Sequence, residues 1–418
     1  MRRYFGTDGV RGVVGDDLTP QLVERIGRAG TLWAGPGRTL VGRDTRSSGP
    51  ELEQAVARGI ASAGGTALLG GVLPTPAVAL LAEELGVVVS ASHNPPEYNG
   101  VKFFRRGAKL ADEDEEEIEA LLDSPGPGGG TIEELADQGE AYLRHIVGSF
   151  GASLAGLRVG VDCANGAMTP FAPQAFERLG AEVHPLGVEP DGANINVGCG
   201  ATDLTSLQRL VRSRSLDLGV AFDGDGDRML AVDERGEQVD GDQILAVLAL
   251  HLGVDVVAVT VMTNLGFHRL MAEHRVKVLT TPVGDRYVLE ALRREGALLG
   301  GEQSGHLIWL GSHVTGDGLA AALVLCGALE GRTLSEAVAV MPRFPQVIRN
   351  IAVPSPSVPR SVLDAVDRTN AELGDRGRLL VRPSGTEPVV RVLAEAENAE
   401  DAEKLCASIA ALVQRELG

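Results

Sequence analysis

Three carboxylates spaced by glycines, Asp223-Gly224-Asp225-Gly226-Asp227-Arg228, are the strongest chemical signal in this 418-residue chain. Their alternation lets all three turn inward on one hard cation such as Mg²⁺ or Ca²⁺, with coordination positions left for a phosphate. Two other readings compete. Glu234 falls at the twelfth position of an EF-hand loop, but Arg228 stands where that loop needs glycine, and Leu216 to Phe222 reads as a strand. The plain alternative is an Asp/Gly turn with no metal.

Ser92 is the second signal, in Val88-Val89-Ser90-Ala91-Ser92-His93-Asn94-Pro95-Pro96. The apolar run before it reads as a buried parallel strand, and the change to polar residues marks the sheet edge where open α/β sheets place their chemistry. The two prolines stiffen the loop, so a serine hydroxyl there can be held at a fixed distance from a substrate. Arg382-Pro383-Ser384-Gly385-Thr386-Glu387-Pro388 sets an arginine beside two hydroxyls and a glycine that frees backbone N–H groups for an anion. Arg391 joins this clamp if the next strand returns past the loop; an ordinary Ser-Gly-Thr turn is the alternative. Phe5 to Gly12 offers glycines for close approach and Arg11 as a fixed charge, or else a simple glycine-rich turn. Only four of the 38 basic residues are lysines, so Lys102, just after Asn99-Gly100-Val101, stands out against an arginine background. A serine, a carboxylate cage and an anion clamp in three different parts of the chain describe phosphoryl transfer in a cleft between domains.

The elements that must position these groups recur. Arg38 to Val41 reads as a strand, then a loop to Gly49, a helix from Pro50 to Ala63, and a strand from Thr66 to Leu69. The order returns from Leu157 (strand to Val161, helix Pro170 to Leu179, strand Glu182 to Leu186). It returns again from Val256 (strand to Met262, loop Thr263 to Gly266, helix to His274, strand Val276 to Leu279). Each unit is followed by an apolar strand feeding a polar loop: Ser90 to Asn94, Asp223 to Arg228, Glu302 to His306. The expected fold is α/β, with three related α/β/α domains and a smaller α+β C-terminal domain around a central cleft. The expected boundaries are 1–150, 151–250, 251–343 and 344–418. Asp123 to Gly130 reads as a loop, Ile132 to Phe150 as helical, and Asp112 to Glu117 as the solvated first turns of a helix.

Composition narrows the function classes. A formal net charge of −19 argues against nucleic acid or an anionic membrane as main partner. Four scattered cysteines without a CxxC pair indicate neither a disulfide framework nor a zinc site. No apolar run approaches a membrane span, and Met1 to Thr7 lacks the apolar region of a signal peptide, so a soluble cytosolic protein is expected. No lysine follows a P-loop pattern and no G-x-S-x-G elbow occurs. Gly316-Asp317-Gly318-Leu319-Ala320-Ala321 fits a loosened dinucleotide fingerprint but reads better as a helix-opening turn.

Five stretches in this order, Phe5 to Gly12, Ser90 to Pro95, Asp223 to Arg228, Gly301 to His306 and Arg382 to Pro388, resemble the signature set of the α-D-phosphohexomutases along the whole chain. Gln303, where gluco- and mannomutases commonly carry Met, points to the amino-sugar branch. Asn194-Ile195-Asn196, Cys199-Gly200-Ala201-Thr202 and Val283-Gly284-Asp285-Arg286-Tyr287-Val288 resemble that branch too. The resemblance implies a phosphorylated Ser92 that converts glucosamine 6-phosphate to glucosamine 1-phosphate through a 1,6-bisphosphate, which also serves as activator. It places the product upstream of UDP-N-acetylglucosamine and cell-wall synthesis. It implies one Mg²⁺ held by Asp223, Asp225, Asp227 and a phosphoserine oxygen on Ser92. Glu302 and Ser304 match sugar-contacting positions, and Arg382, Ser384, Gly385, Thr386 and Arg391 match a phosphate site. Lys102, His306 and Arg11 match groups near the transferring phosphate. A structural, hydrogen-bonded role for His306 is the alternative. A gluco- or mannomutase of the same family, or a phosphosugar-binding protein without catalysis, are the competing functions, and a homodimer stays open.

Overall fold

The computed structural model describes residues 4–6, 9–354, 357–384 and 388–417. By internal packing the chain divides into two units, Met1–Val261 with Lys277–Ala339, and Met262–Val276 with Val340–Gly418.

The first unit carries three sheets built to one plan. In the first, strands β1 (Val10–Val13), β2 (Arg38–Arg43), β3 (Thr66–Val72), β4 (Leu85–Val89), β5 (Tyr98–Arg105), β6 (Ala108–Lys109) and β7 (Thr131–Glu134) run in the order β1-β5-β4-β2-β3-β7, with β6 paired to β5. The second holds β8 (Arg158–Asp162), β9 (Glu182–Leu186), β10 (Leu218–Phe222), β11 (Met229–Asp233) and β12 (Gln238–Val239), in the order β12-β11-β10-β8-β9. The third holds β13 (Val256–Thr260), β14 (Lys277–Thr281), β15 (Leu299–Gly301) and β16 (Leu307–Trp309), in the order β14-β13-β15-β16.

Strip each sheet to four strands and the plan is the same. The first strand of the repeat lies between two parallel neighbours, β3 and β4, β9 and β10, or β14 and β15. The third then turns back into an antiparallel fourth strand, β5, β11 or β16. Every residue of β4 and of β10 is buried, as the unbroken runs Leu-Gly-Val-Val-Val and Leu-Gly-Val-Ala-Phe require of central strands covered on both faces. The three polar loops found in the sequence are therefore the three hairpin connections at the carboxyl ends of the third strands. That shared position is what gathers them.

The second unit is an antiparallel sheet of β17 (Gln346–Ala352), β18 (Gly377–Pro383) and β19 (Val389–Ala396), with β19 in the middle. Helices Arg360–Leu373 and Ala399–Leu417 close a core of Val362, Val390, Val392, Cys406 and Val413. Here Asn264 exchanges two hydrogen bonds with the Phe344 backbone, at 2.9 and 3.1 Å.

Three expectations need correction. Residues 132–134 are not helical: Thr131–Glu134 is an exposed edge strand parallel to β3, and the helix starts only at Gln138. Thr-Ile-Glu-Glu has no apolar face to hold a helix, whereas the ladder to β3 satisfies its backbone. The loop after β13 lies two residues earlier than expected: the strand ends at Thr260, and Asn264 caps a helix Leu265–Glu273 by accepting from Gly266 N at 3.0 Å. The acidic helix Asp112–Ala120 is not wholly solvated either. Glu115 is buried, and Arg286 pairs with Asp112 at 2.6 Å and with Glu115 at 3.8 Å. Among the described residues no helix is long and apolar enough to cross a membrane, and all four cysteines are buried and free.

Candidate active site

Ser92 has a left-handed backbone, φ 52°, which costs a non-glycine residue about 1–2 kcal/mol. The loop offsets that cost with hydrogen bonds. Ser92 N donates to Ser90 Oγ at 2.9 Å, and Ser90 Oγ donates to Asp44 Oδ2 at 2.6 Å. The wholly buried Arg46 donates through Nε to Asp44 at 2.9 Å and through its two terminal nitrogens to the carbonyls of Ser92, Asn94, Tyr98 and Pro95. Burial pushes the Asp44 carboxyl above its usual range, against the pull of Arg46 and the Ser90 hydroxyl. The result aims Ser92 Oγ at Asp223, with Oγ donating to Oδ2 at 2.6 Å.

The three aspartates of the β10–β11 loop are buried and offer carboxylate oxygens that all lie within 4.8 Å of one another. Arg228 follows on in an isolated antiparallel bridge to His306. Since the loop joins two strands of one sheet, the EF-hand reading is excluded. Burial, then Asp225 and Asp227, hold the Asp223 carboxyl well above the usual carboxylate range. For Asp225 burial and Asp227 are outweighed by Lys102 and Thr75, and its carboxyl is lowered; Lys102 Nζ donates to Oδ2 at 2.9 Å and Thr75 Oγ1 at 2.6 Å. Burial would raise Asp227, but His306, Lys102 and Lys109 together outweigh it and hold the carboxyl well below its usual range. Asp225 Oδ1 and Asp227 Oδ1 are buried with no hydrogen-bond donor. Three close carboxylates, two with orphaned oxygens, fit a hard divalent cation such as Mg²⁺.

The loop between β15 and β16 supplies His306, whose Nδ1 lies 3.7 Å from Asp227 and whose Nε2 lies 3.3 Å from Asp285. Burial alone would lower this imidazole, but Asp285 and Asp227 raise it above its ordinary value. Glu302 in the same loop is raised by burial and accepts from Gly284 N at 3.1 Å. Ser304 is exposed. Arg11 sits in β1 opposite Gly100 of β5, where its charge and that of Arg228 act on His93.

Ser92, Lys102, Asp223, Asp225, Asp227 and His306 are thus brought together in the first unit, with Glu302 beside His306 and the charge of Arg11 felt at His93. The clamp residues belong to the second unit. Arg382 and Arg391 face each other directly on β18 and β19, and burial and then Arg391 lower the Arg382 guanidinium. Two like charges directly opposite on a ladder repel unless an anion joins them. Ser384 closes that hairpin through its N–H to Val389 O at 2.9 Å, while Gly385 and Thr386 lie outside the described residues.

The sequence reading gave no site role to Asp44, Arg46, Ser90, Asn196, Lys109, Asp285 or Arg228, although Ser90, Asn196, Asp285 and Arg228 stand within the motifs it quoted. Lys109 pairs with Asp285, which in turn flanks His306. The scarcity of lysine that singled out Lys102 would have singled out Lys109 as well; Lys277 and Lys404, the other two, sit in exposed pairs with Glu295 and Glu400.

Four models of phosphoglucomutase/phosphomannomutase domains match the chain: α/β/α domain I over residues 2–126, domain II over 140–236, domain III over 240–344, and the C-terminal domain over 349–412. A phosphoglucosamine mutase of Moorella thermoacetica is 48% identical over 441 residues, covering 98% of each chain. The chain belongs to the phosphoglucomutase/phosphomannomutase family. Among solved structures, a member of this family from Burkholderia thailandensis superposes with a TM-score of 0.84 at 26% identity, over 97% of both chains. An Aspergillus fumigatus N-acetylphosphoglucosamine mutase, solved with GlcNAc-6P and magnesium, has the same fold: TM-score 0.74, 18% identity, 100% of this chain and 96% of that one. The family fold of three α/β/α domains and a C-terminal domain agrees with the three repeated sheets and the antiparallel unit described above.

Proposed function

We propose that the chain interconverts glucosamine 6-phosphate and glucosamine 1-phosphate by two phosphoryl transfers through Ser92. The observation that carries this reading is the hydroxyl of Ser92 held 2.6 Å from a buried cluster of three aspartates. A nucleophile placed against a divalent-cation site is an arrangement for moving phosphate rather than for merely binding it. The amino sugar follows from relatives named phosphoglucosamine mutase at 43–48% identity over nearly the whole chain.

In the forward direction the phosphoryl group on Ser92 Oγ passes to the free 1-hydroxyl of glucosamine 6-phosphate. The Oγ–P bond breaks, a P–O1 bond forms, and the sugar hydroxyl proton ends on Ser92. The 1,6-bisphosphate then turns end for end. Its 6-phosphoryl moves to Ser92 Oγ, and the serine proton goes to the departing O6. Asp223, Asp225 and Asp227 would hold a Mg²⁺, which when bound supplies positive charge to the phosphoryl oxygens. Lys102, fixed on Asp225, and His306, placed between Asp227 and Asp285, handle charge and proton at the transfer site, with Arg11 as a further cation. Glu302 and Ser304 orient the sugar. Arg382, Ser384, Gly385, Thr386 and Arg391 hold the phosphate that is not being transferred, and a symmetric clamp of this kind serves either end of the sugar. A 1,6-bisphosphate from outside primes Ser92.

The reading is tested by measuring rates with glucosamine, glucose and mannose phosphates side by side, with Mg²⁺ and a hexose 1,6-bisphosphate present. The highest kcat/KM is expected with glucosamine phosphates. A preference for mannose or glucose phosphate would move the chain to another branch of the family.

A further inference from the structure

Both sides of the Ser92 peptide are engaged in one closed ring of buried hydrogen bonds. Its N–H reaches Ser90 Oγ, Ser90 reaches Asp44, Arg46 Nε reaches the same Asp44 oxygen, and a terminal nitrogen of Arg46 returns to the Ser92 carbonyl at 2.9 Å. A second donor arrives from far along the chain. Asn196 Nδ2 donates to the Ser92 carbonyl at 2.9 Å and to the Asn94 carbonyl at 3.2 Å, the same two acceptors that Arg46 uses. Both acceptors are carbonyls, so the amide must present its NH₂ to them. Asn196 is itself in the left-handed region at φ 60°, fixed by its own N–H to Ala164 O at 2.9 Å. Gly224 of the aspartate loop fills the remaining space. A Cβ there would lie 2.6 Å from the Ser92 carbonyl oxygen and 2.9 Å from Asn196 Nδ2, so the serine loop and the aspartate loop meet with no side chain between them.

We infer that Arg46 and Asn196 are positioning residues for phosphoryl transfer: from the loop after β2 and from the segment between β9 and β10 they clamp the Ser92 and Asn94 carbonyls, and so fix Ser92 Oγ against the aspartate loop. This deepens the reading above and rests on it. Neither side chain needs to touch substrate. Their effect is on the direction in which Oγ points when the P–O bond of a bisphosphate breaks, the Oγ–P bond forms, and the serine proton passes to the departing sugar oxygen. A nucleophile displaced by about 1 Å loses on the order of 100-fold in rate. Arg46 acts from inside the serine's own sheet, and replacing it tests the ring. Asn196 is only partly buried and comes from the segment before β10, so replacing it tests the clamp with little risk to the fold.

The experiment follows Ser92 phosphorylation in the full-length protein, mixed rapidly with glucose 1,6-bisphosphate and Mg²⁺ and quenched for peptide mass analysis. Steady-state kinetics and melting are measured alongside. For Arg46→Lys, which keeps the charge but cannot span Asp44 and four carbonyls, phosphate uptake and kcat should fall together by about 100-fold, with KM for glucosamine 1-phosphate little changed. For Asn196→Ala both should fall about tenfold, the loss of one shared donor, with only a small drop in melting temperature. A folded Asn196→Ala protein that takes up phosphate at the wild-type rate overturns the inference, and it decides the matter alone if Arg46→Lys does not fold. A rise in KM with unchanged kcat would also overturn it, since that pattern belongs to substrate binding. If the wild type takes up no phosphate on Ser92, the functional reading fails first.

Discussion

The β4–β5 loop and the β10–β11 loop occupy the same place in two copies of one topology, yet they are finished in opposite ways. Around Ser92 the main-chain groups that set its geometry are spoken for: its N–H by Ser90, its carbonyl by Arg46 and Asn196 together, its hydroxyl by Asp223. Around Asp223 to Asp227 the carboxylates are crowded and two of their oxygens have no donor at all. A buried polar atom without a partner is costly, and three neighbouring carboxylates repel. The first loop is complete by itself; the second is complete only with a cation. The same hairpin edge thus gives one serine hydroxyl held from every side and one site that a ligand must finish.

This contrast can be broken in order of expected effect. Ser92→Ala should abolish mutase turnover while leaving melting nearly unchanged, because one hydroxyl at a loop edge contributes little to a core. Asp223→Asn comes next. Its carboxyl is held above the usual range by burial and by its neighbours, so the uncharged amide should leave the metal-free protein at least as stable, while turnover and the stabilisation by added Mg²⁺ both collapse. Melting curves with Mg²⁺ and with chelator, for wild type and variant, read this directly. Asp225→Ala is a poorer probe: it also breaks the buried 2.9 Å pair with Lys102, so stability should fall along with turnover. Gly224→Ala should perturb both loops at once, since its Cβ would press on the Ser92 carbonyl; kcat and melting temperature should fall together. The smallest effect belongs to the second unit. Arg382→Ala should raise KM for the phosphosugar by the equivalent of about 1.5–3 kcal/mol, with the serine still able to accept phosphate.

What was legible in the sequence was local. An apolar strand that ends abruptly in polar residues announces a loop at a sheet edge, and this found Ser92, the aspartates and the Glu302–His306 stretch. The alternation of Asp and Gly announced the cation site. The braces were not legible, because Asp44, Arg46 and Asn196 meet Ser92 only through strand order. Arg46 lies 46 residues from Ser92 and Asn196 lies 104 residues away. The return strands β5, β11 and β16 set the hairpin geometry, and nothing in three or four apolar residues such as Leu307–Trp309 says which way they run. The short polar strand Thr131–Glu134 was hidden for the opposite reason: its ladder is backbone only, with no side-chain pattern to read.

The central claim is that Ser92 carries the phosphoryl group between the two ends of the sugar. The most direct test incubates the purified protein with glucose 1,6-bisphosphate and Mg²⁺, removes the small molecules, and maps phosphate by peptide mass before and after adding excess glucosamine 6-phosphate. One phosphate on the peptide holding Ser92, lost again when the sugar is added, is the predicted result. Phosphate on another residue, or phosphate on Ser92 that the sugar cannot remove, would contradict the account.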